Sequence, residues 1–226
     1  MRISLIGMSG CGKSRWSQRL EGIGFKRYPC DDWIAARLFP TSAGVTDAIE
    51  LLGRWMGFPF EEGYAEREAT YLRHEIEVLR EIVGELEESS GDAGTNVVVD
   101  TTGSVVYAGE ELLGRLKAST TLVHLATPPE VQGAMLADYL ANPRPVLWHG
   151  IFSRERTETT EQALKRCYAL LLSSREELYR ECADLTLDYA RRTAPGYGIE
   201  EFLRDVALAA AATKTQGAPD RSIEKI

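Results

Sequence analysis

The first fourteen residues limit what this chain can become more than any other stretch. MRISLI, residues 1–6, is a short apolar strand candidate that runs directly into GMSGCGKS at 7–14. That segment reads G-x-x-x-x-G-K-S, the phosphate-binding P-loop. The motif has meaning only between a strand and a helix. Here RISLIG precedes it, and SRWSQRLEGIG follows with Trp16 and Leu20 at i, i+4 spacing. Gly7 and Gly12 admit the backbone angles that turn successive N–H groups toward an anion. Ser9, Gly10 and Cys11 supply further loop N–H groups. Lys13 is placed to reach β- and γ-phosphates, the Ser14 hydroxyl is placed to ligate Mg²⁺, and the helix opening at about Lys13 directs its dipole at the same phosphates.

The rest of the composition narrows the partners. The chain has 226 residues, which suits one large domain or a domain with an insertion, and at 44% hydrophobic it can bury a sizeable core. A net charge of -8 and a pI near 5.1 argue against a nucleic-acid surface, which needs a basic face. Anionic substrates must then be held by local arginines and lysines. Cys11, Cys30, Cys167 and Cys182 show no C-x-x-C pair and no metal-ligand spacing, so reduced thiols in a cytoplasmic protein are expected. His74, His124 and His149 form no ligand pair either. The opening apolar run stops at glycine, unlike a signal peptide, and no run approaches membrane-spanning length.

In chain order, a first helix is expected over 13–22, a short strand over 25–29, and a helix over 30–38 capped by Asp31 or Asp32. Residues 40–60 read as short helices and loops. A long charged helix spans about 62–88, with Tyr71, Leu72, Ile76, Leu79, Ile82 and Val83 at helical spacing. NVVVD at 96–100 is a buried strand with an acid at its carboxyl end, where ligands gather in open α/β sheets. A helix at 109–118, a strand at 120–126 and a helix opened by two prolines follow. Residues 142–160, with two prolines, a glycine and three arginines, read as a long ordered loop, a lid. A helix over 161–182, a last strand over 184–188, a loop and a final helix over about 198–212 complete the domain, and 213–226 reads as a disordered tail. Strands alternating with helices predict an α/β three-layer fold, with a central five-stranded parallel sheet and helices on both faces. A single kinase-type domain is expected over 1–212, its acceptor region at about 31–75.

With these elements placed, the chain resembles the shikimate kinase family, within the nucleoside-monophosphate-kinase-like P-loop kinases. GMSGCGKS matches the family P-loop. CDDWIAAR resembles D-S-D-D-E-I-E, with Asp31 on the acid that holds the acceptor hydroxyl. NPRPVLW resembles the lid R-P-L-L, with Arg144 on the lid arginine. SREELYRECADLTLD resembles R-x-x-L-Y-x-x-x-A-d-x-x-x-d, with Arg175 on the arginine that binds the substrate carboxylate. ARRTAP resembles the adenine loop and implies nucleotide contacts from Arg191, Arg192 and Pro195. The departures are equally plain. Pro29 stands where the family has the first acid of Asp-x-Asp. Ala65 stands on the arginine of F-R-x-x-E, and Thr101-Thr102-Gly103 on Gly-Gly-Gly.

The resemblance implies transfer of a phosphoryl group from ATP, with Mg²⁺, to a hydroxylated small molecule, by a monomer or homodimer without nucleic-acid or membrane partners. Lys13 and Arg144 would neutralise the transferring phosphoryl. Asp31 would accept or orient the attacking hydroxyl proton. Asp100, ending its strand, would take part of the metal role that Pro29 cannot, beside Ser14. Thr101, Thr102, Gly103 and Arg175 would contact the acceptor, which the lost arginine and the added threonine bulk predict not to be shikimate. Shikimate kinase itself, or a nucleotide switch acting through a protein partner, are the alternatives.

Overall fold

A computed structural model describes residues 1–40, 47–89 and 94–216, with the backbone alone for 213–216. Five strands, β1 (Arg2–Ile6), β2 (Lys26–Pro29), β3 (Val97–Asp100), β4 (Thr121–Leu125) and β5 (Leu185–Leu187), form one sheet in the order β2-β3-β1-β4-β5. Every pairing is parallel, with Ile3 opposite Val98 and Thr121.

Two-residue alternation along these strands builds two cores. Ile3 and Leu5 of β1, Val98 of β3, and Val123 and Leu125 of β4 pack with Trp16, Leu20, Phe202 and Val206 on one face. Ile6, Val97, Val99 and Leu122 belong to the larger cluster on the other, with Ile34, Tyr71, Ile82, Leu116 and Leu171. Trp16 and Leu20 lie on α1 (Lys13–Glu21), Phe202 and Val206 on α9 (Ile199–Gln216). The opposite layer is α2 (Cys30–Leu38), α4 (Tyr64–Glu88), α5 (Glu110–Ser119) and α7 (Thr160–Cys182). Three further helices are α3 (Ala48–Met56), α6 (Pro129–Ala141) and α8 (Tyr189–Thr193).

Three expectations change. Pro29, not an aspartate, holds the N-cap position of α2, which places Asp31 and Asp32 inside its first turn with no side-chain cap bond. ARRTAP is not all loop, because Tyr189–Thr193 closes one helical turn. The last helix continues to Gln216, four residues into the expected tail, and 217–226 lie outside the described residues.

The lid segment carries no helix or strand between Asn142 and Thr159, yet its middle is built into the protein. Val146, Leu147 and Trp148 are buried. Tyr64 Oη donates to the Val146 carbonyl at 2.7 Å, and Glu68 accepts from the Trp148 and His149 N–H groups, the latter at 2.8 Å. Phe152 packs on Phe60, with ring centroids 6.2 Å apart. A capping box between Thr159 and Gln162 then starts α7.

Candidate active site

The P-loop folds as the motif demands. Gly7, Gly10 and Gly12 take φ of 139°, 85° and 102°, and α1 starts at Lys13 directly behind them. Lys13 is buried. Its Nζ donates to the carbonyls of Gly7 at 2.7 Å and Met8 at 3.2 Å, folding the ammonium over its own loop.

Two cavities meet at this loop. One of 260 Å³ lies between the P-loop, α6 and α8, with Cys11, Thr127, Met135 and Arg192 on its walls. The other, of 210 Å³, is bounded by Lys13, Ser14, Arg15, Asp31, Ile49 and Gly103. Ser9, Gly10 and Arg144 line both. Arg144 is held by an ion pair with Asp138 of α6 at 2.8 Å, and its buried Nε has no hydrogen-bond partner among the described residues. The buried Nε of Arg192 and Oγ1 of Thr127 also lack one. Buried donors without partners normally have one supplied from elsewhere. These three stand around a glycine-rich anion loop, so the groups present fit nucleotide phosphates and the atoms next to them.

The acceptor side carries two acids, Asp31, half-buried, and Glu75, buried. Asp31 accepts a 2.6 Å bond from Tyr71 Oη, and burial raises its carboxyl to about 6 against the pull of that bond and of Lys13. One turn further along α4, Glu75 is buried and accepts from Thr102 and, at 2.6 Å, from Ser104. Burial raises it to about 7, while those hydroxyl bonds hold it down and Asp31 pushes it up. The backbone of Gly103 lies so close to the P-loop that a Cβ there would stand 2.9 Å from the Ser9 nitrogen, which explains why the third residue of Thr-Thr-Gly is glycine.

Lys13, Ser14, Asp31, Gly103 and Arg144 line one cavity together. Several other expected residues do not line it. Thr101 Oγ1 donates to the Leu5 carbonyl at 2.7 Å, and Thr102 Oγ1 is engaged by Glu75, so neither hydroxyl is turned to the cavity. Arg175 is 1% exposed, with donors spent on the carbonyls of Leu147 and, at 3.2 Å, Gly103. It ties the lid to the acceptor wall from behind. Asp100 receives both Ser17 Oγ and the Arg27 guanidinium on Oδ2, each at 2.8 Å, and is not on the wall of either cavity. Arg191 pairs with Asp205 of α9 at 2.6 Å, and Pro195 is exposed, so of the adenine-loop residues only Arg192 faces the nucleotide cavity. No group of three or more metal-ligating side chains stands together among the described residues. Mg²⁺ commonly binds through one or two protein oxygens, phosphates and water, and Ser14 is positioned for that.

No motif marks Tyr64, Glu68 or Glu75, and Tyr71 stands out only as a core position at helical spacing. All four lie on one helix, and i, i+3 and i, i+4 spacing from the core position Tyr71 was the available signal. A stability test separates the two readings of Arg175. As a buried structural tie, Arg175→Met is expected to cost about 3 kcal/mol, seen as a lower denaturation midpoint at unchanged slope. A variant as stable as the parent would return Arg175 to the substrate side.

The fold is that of the P-loop kinases. No protein-family model matches the chain, but a shikimate kinase of Enterococcus faecalis is 27% identical over 205 residues, covering 90% of this chain and 97% of that protein. In structure the chain is similar to shikimate kinases from Aquifex aeolicus (22% identity, TM-score 0.53, covering 96% of this chain and 100% of that one) and Bacteroides thetaiotaomicron (15%, 0.55, 95% and 98%). It is also similar to one from Acinetobacter baumannii solved in complex with shikimate (20%, 0.53, 95% and 92%). In sequence and in fold, the chain is similar to shikimate kinases.

Proposed function

We propose that this chain is an ATP-dependent phosphotransferase that moves the γ-phosphoryl of MgATP to a hydroxyl of a small molecule, within one domain over residues 1–212. The observation that carries the reading is Arg144. It borders the nucleotide-side cavity and the acceptor-side cavity at once, over the P-loop, where a phosphoryl passing from one to the other must cross. Lys13 and Arg144 supply positive charge from opposite sides of that crossing. Asp31, on the acceptor wall and oriented by Tyr71, takes the proton of the attacking hydroxyl. Bound Mg²⁺, held through Ser14, would neutralise the phosphate oxygens.

Asp31 gives the test. A base with a carboxyl raised to about 6 is protonated and inactive below that pH. The efficiency of ADP production with an accepted alcohol is therefore expected to rise with pH through about 6 and then level off. Asp31→Asn should lose that limb and about 10²-fold in rate. A flat parent profile, or an asparagine variant at full rate, would remove Asp31 from the chemistry.

Similarity to the Enterococcus protein favours a narrower second reading, shikimate kinase itself. Steady-state ADP production with shikimate decides it. An efficiency of about 10⁴ M⁻¹s⁻¹ or more establishes the narrower reading.

A further inference from the structure

We propose that Glu176 is a positioning residue for nucleotide binding: it fixes the peptide of Thr127 so that the Thr127 hydroxyl meets the bound nucleotide. This rests on the nucleotide half of the reading above and assigns a role to both residues. Thr127 follows β4 and lies on the wall of the nucleotide-side cavity. It is buried, and its Oγ1 has no hydrogen-bond partner among the described residues. A valine is close in size and would carry no unmet hydroxyl. The threonine is accounted for when the nucleotide supplies the partner.

The peptide bond that carries Thr127 is gripped on both sides. Arg192 Nη2 donates to the Ala126 carbonyl at 2.9 Å, and Glu176 Oε1 accepts from the Thr127 N–H at 3.0 Å. One charged group comes from α8 and the other from α7, and such bonds are stronger than those between neutral groups. Arg192 lines the cavity itself, whereas Glu176 does not. Glu176 therefore acts through Thr127 and not on the nucleotide directly. Its other oxygen, Oε2, stands 3.3 Å from Nε2 of His124, in contact but not aligned as a hydrogen bond. His124 is fully buried on β4, with its ring between the P-loop and α7. A Cβ on Gly7 would lie 3.6 Å from its Cδ2, and the Tyr179 ring centroid is 5.2 Å away. Burying a carboxylate as deeply as Glu176 is costly. The lid and the acceptor wall do not use it, because the preceding residue, Arg175, serves both through Leu147 and Gly103. Adjacent residues of α7 thus support the two halves of the site from behind.

Calorimetric titration of the full chain with MgADP tests this without an acceptor. Thr127→Val is expected to bind MgADP about tenfold more weakly than the parent, and Thr127→Ser, which keeps a hydroxyl, to recover most of that loss. The thermal midpoint of Thr127→Val without nucleotide should equal or exceed the parent's, because an unmet buried hydroxyl has been removed. Glu176→Gln keeps the length of the side chain and removes its charge, and about threefold weaker binding is expected. In the double variant Thr127→Val/Glu176→Gln the loss should be no larger than in Thr127→Val alone, since the glutamate works through the hydroxyl that valine lacks. A glutamate that only supports the fold would weaken binding alike in both backgrounds. If Glu176→Gln does not fold, Glu176→Asp, one methylene short of the Thr127 N–H, takes its place in the cycle. Parent-like MgADP affinity in Thr127→Val overturns the inference, and so do additive losses in the double variant. A parent that binds no MgADP takes down this inference together with the transfer reading, whereas the expected order of MgADP affinities with no alcohol phosphorylated takes down the transfer reading alone.

Discussion

Lys13→Ala is expected to lower phosphoryl transfer by about 10³-fold or more, as loss of a fixed positive group over a transferring phosphoryl does in sites that work by charge neutralisation. The loss should reach nucleotide binding as well. In the parent, saturating MgATP should raise the melting temperature, because a ligand bound only by the folded state stabilises it by mass action. In the variant that rise should shrink or vanish. The side chain is not a solvent-side ornament. It is buried, and its ammonium is satisfied by the carbonyls of Gly7 and Met8. Removing it leaves two carbonyls without their charged donor, and a cost of about 1.5–3 kcal/mol in the nucleotide-free protein follows. Lys13→Met keeps the aliphatic stem and separates the two effects, since it should lose activity as fully as alanine while packing better. Transfer at the parent's rate by a folded Lys13→Ala protein would mean that the P-loop here does not hold the reacting nucleotide.

The fold was legible where sequence pattern and packing say the same thing. VVVD and TLVHL are short apolar runs whose alternate residues serve opposite faces of a covered parallel sheet, which is why both could be placed without a partner in view. The P-loop was legible because its chemistry is carried mainly by backbone, and backbone is what glycine spacing encodes. Asp31 and Arg144 each sit in a short motif, and both side chains line the cavity beside the P-loop. The role of Arg175 was not legible. Its motif spacing places it correctly on α7, but a helical position does not say whether the guanidinium ends in water, on a ligand or on carbonyls, and here it ends on Leu147 and Gly103. Asp100 failed for the same reason. Its position at a strand end is right, and Arg27, on the neighbouring strand, takes the carboxylate. The acids of α4 serve two different surroundings. Glu77 and Glu81 do pair at the surface with Arg37, but Glu68 and Glu75 turn inward and organise the lid and the acceptor wall. Telling the two kinds of glutamate apart needs the helix phase relative to residues distant in sequence.

Arg144→Ala is expected to lower the turnover number by about 10³-fold while weakening nucleotide binding far less. The reason is where the guanidinium stands. Asp138 holds one end of it at 2.8 Å, the backbone beside it is flanked by Pro143 and Pro145, and its buried Nε has no partner among the described residues. The base of the lid is also seated firmly, because a Cβ on Gly53 of α3 would lie 2.1 Å from the Pro143 carbonyl oxygen. A group preorganised in this way and left one donor short gains most when charge spreads over the phosphoryl oxygens in the transition state, and contacts that strengthen only then appear in turnover rather than in affinity. Lysine at 144 keeps a positive charge but cannot span Asp138 and the phosphoryl together, so Arg144→Lys should recover only part of the loss. Asp138→Asn, which leaves the arginine and removes its ionic anchor, should fall between the parent and Arg144→Ala. Steady-state kinetics on the three variants, with nucleotide dissociation constants measured separately, checks the order. Unchanged turnover in Arg144→Ala, or a loss that lies wholly in nucleotide affinity, would place the arginine outside the transfer step and leave the lid with a binding role only.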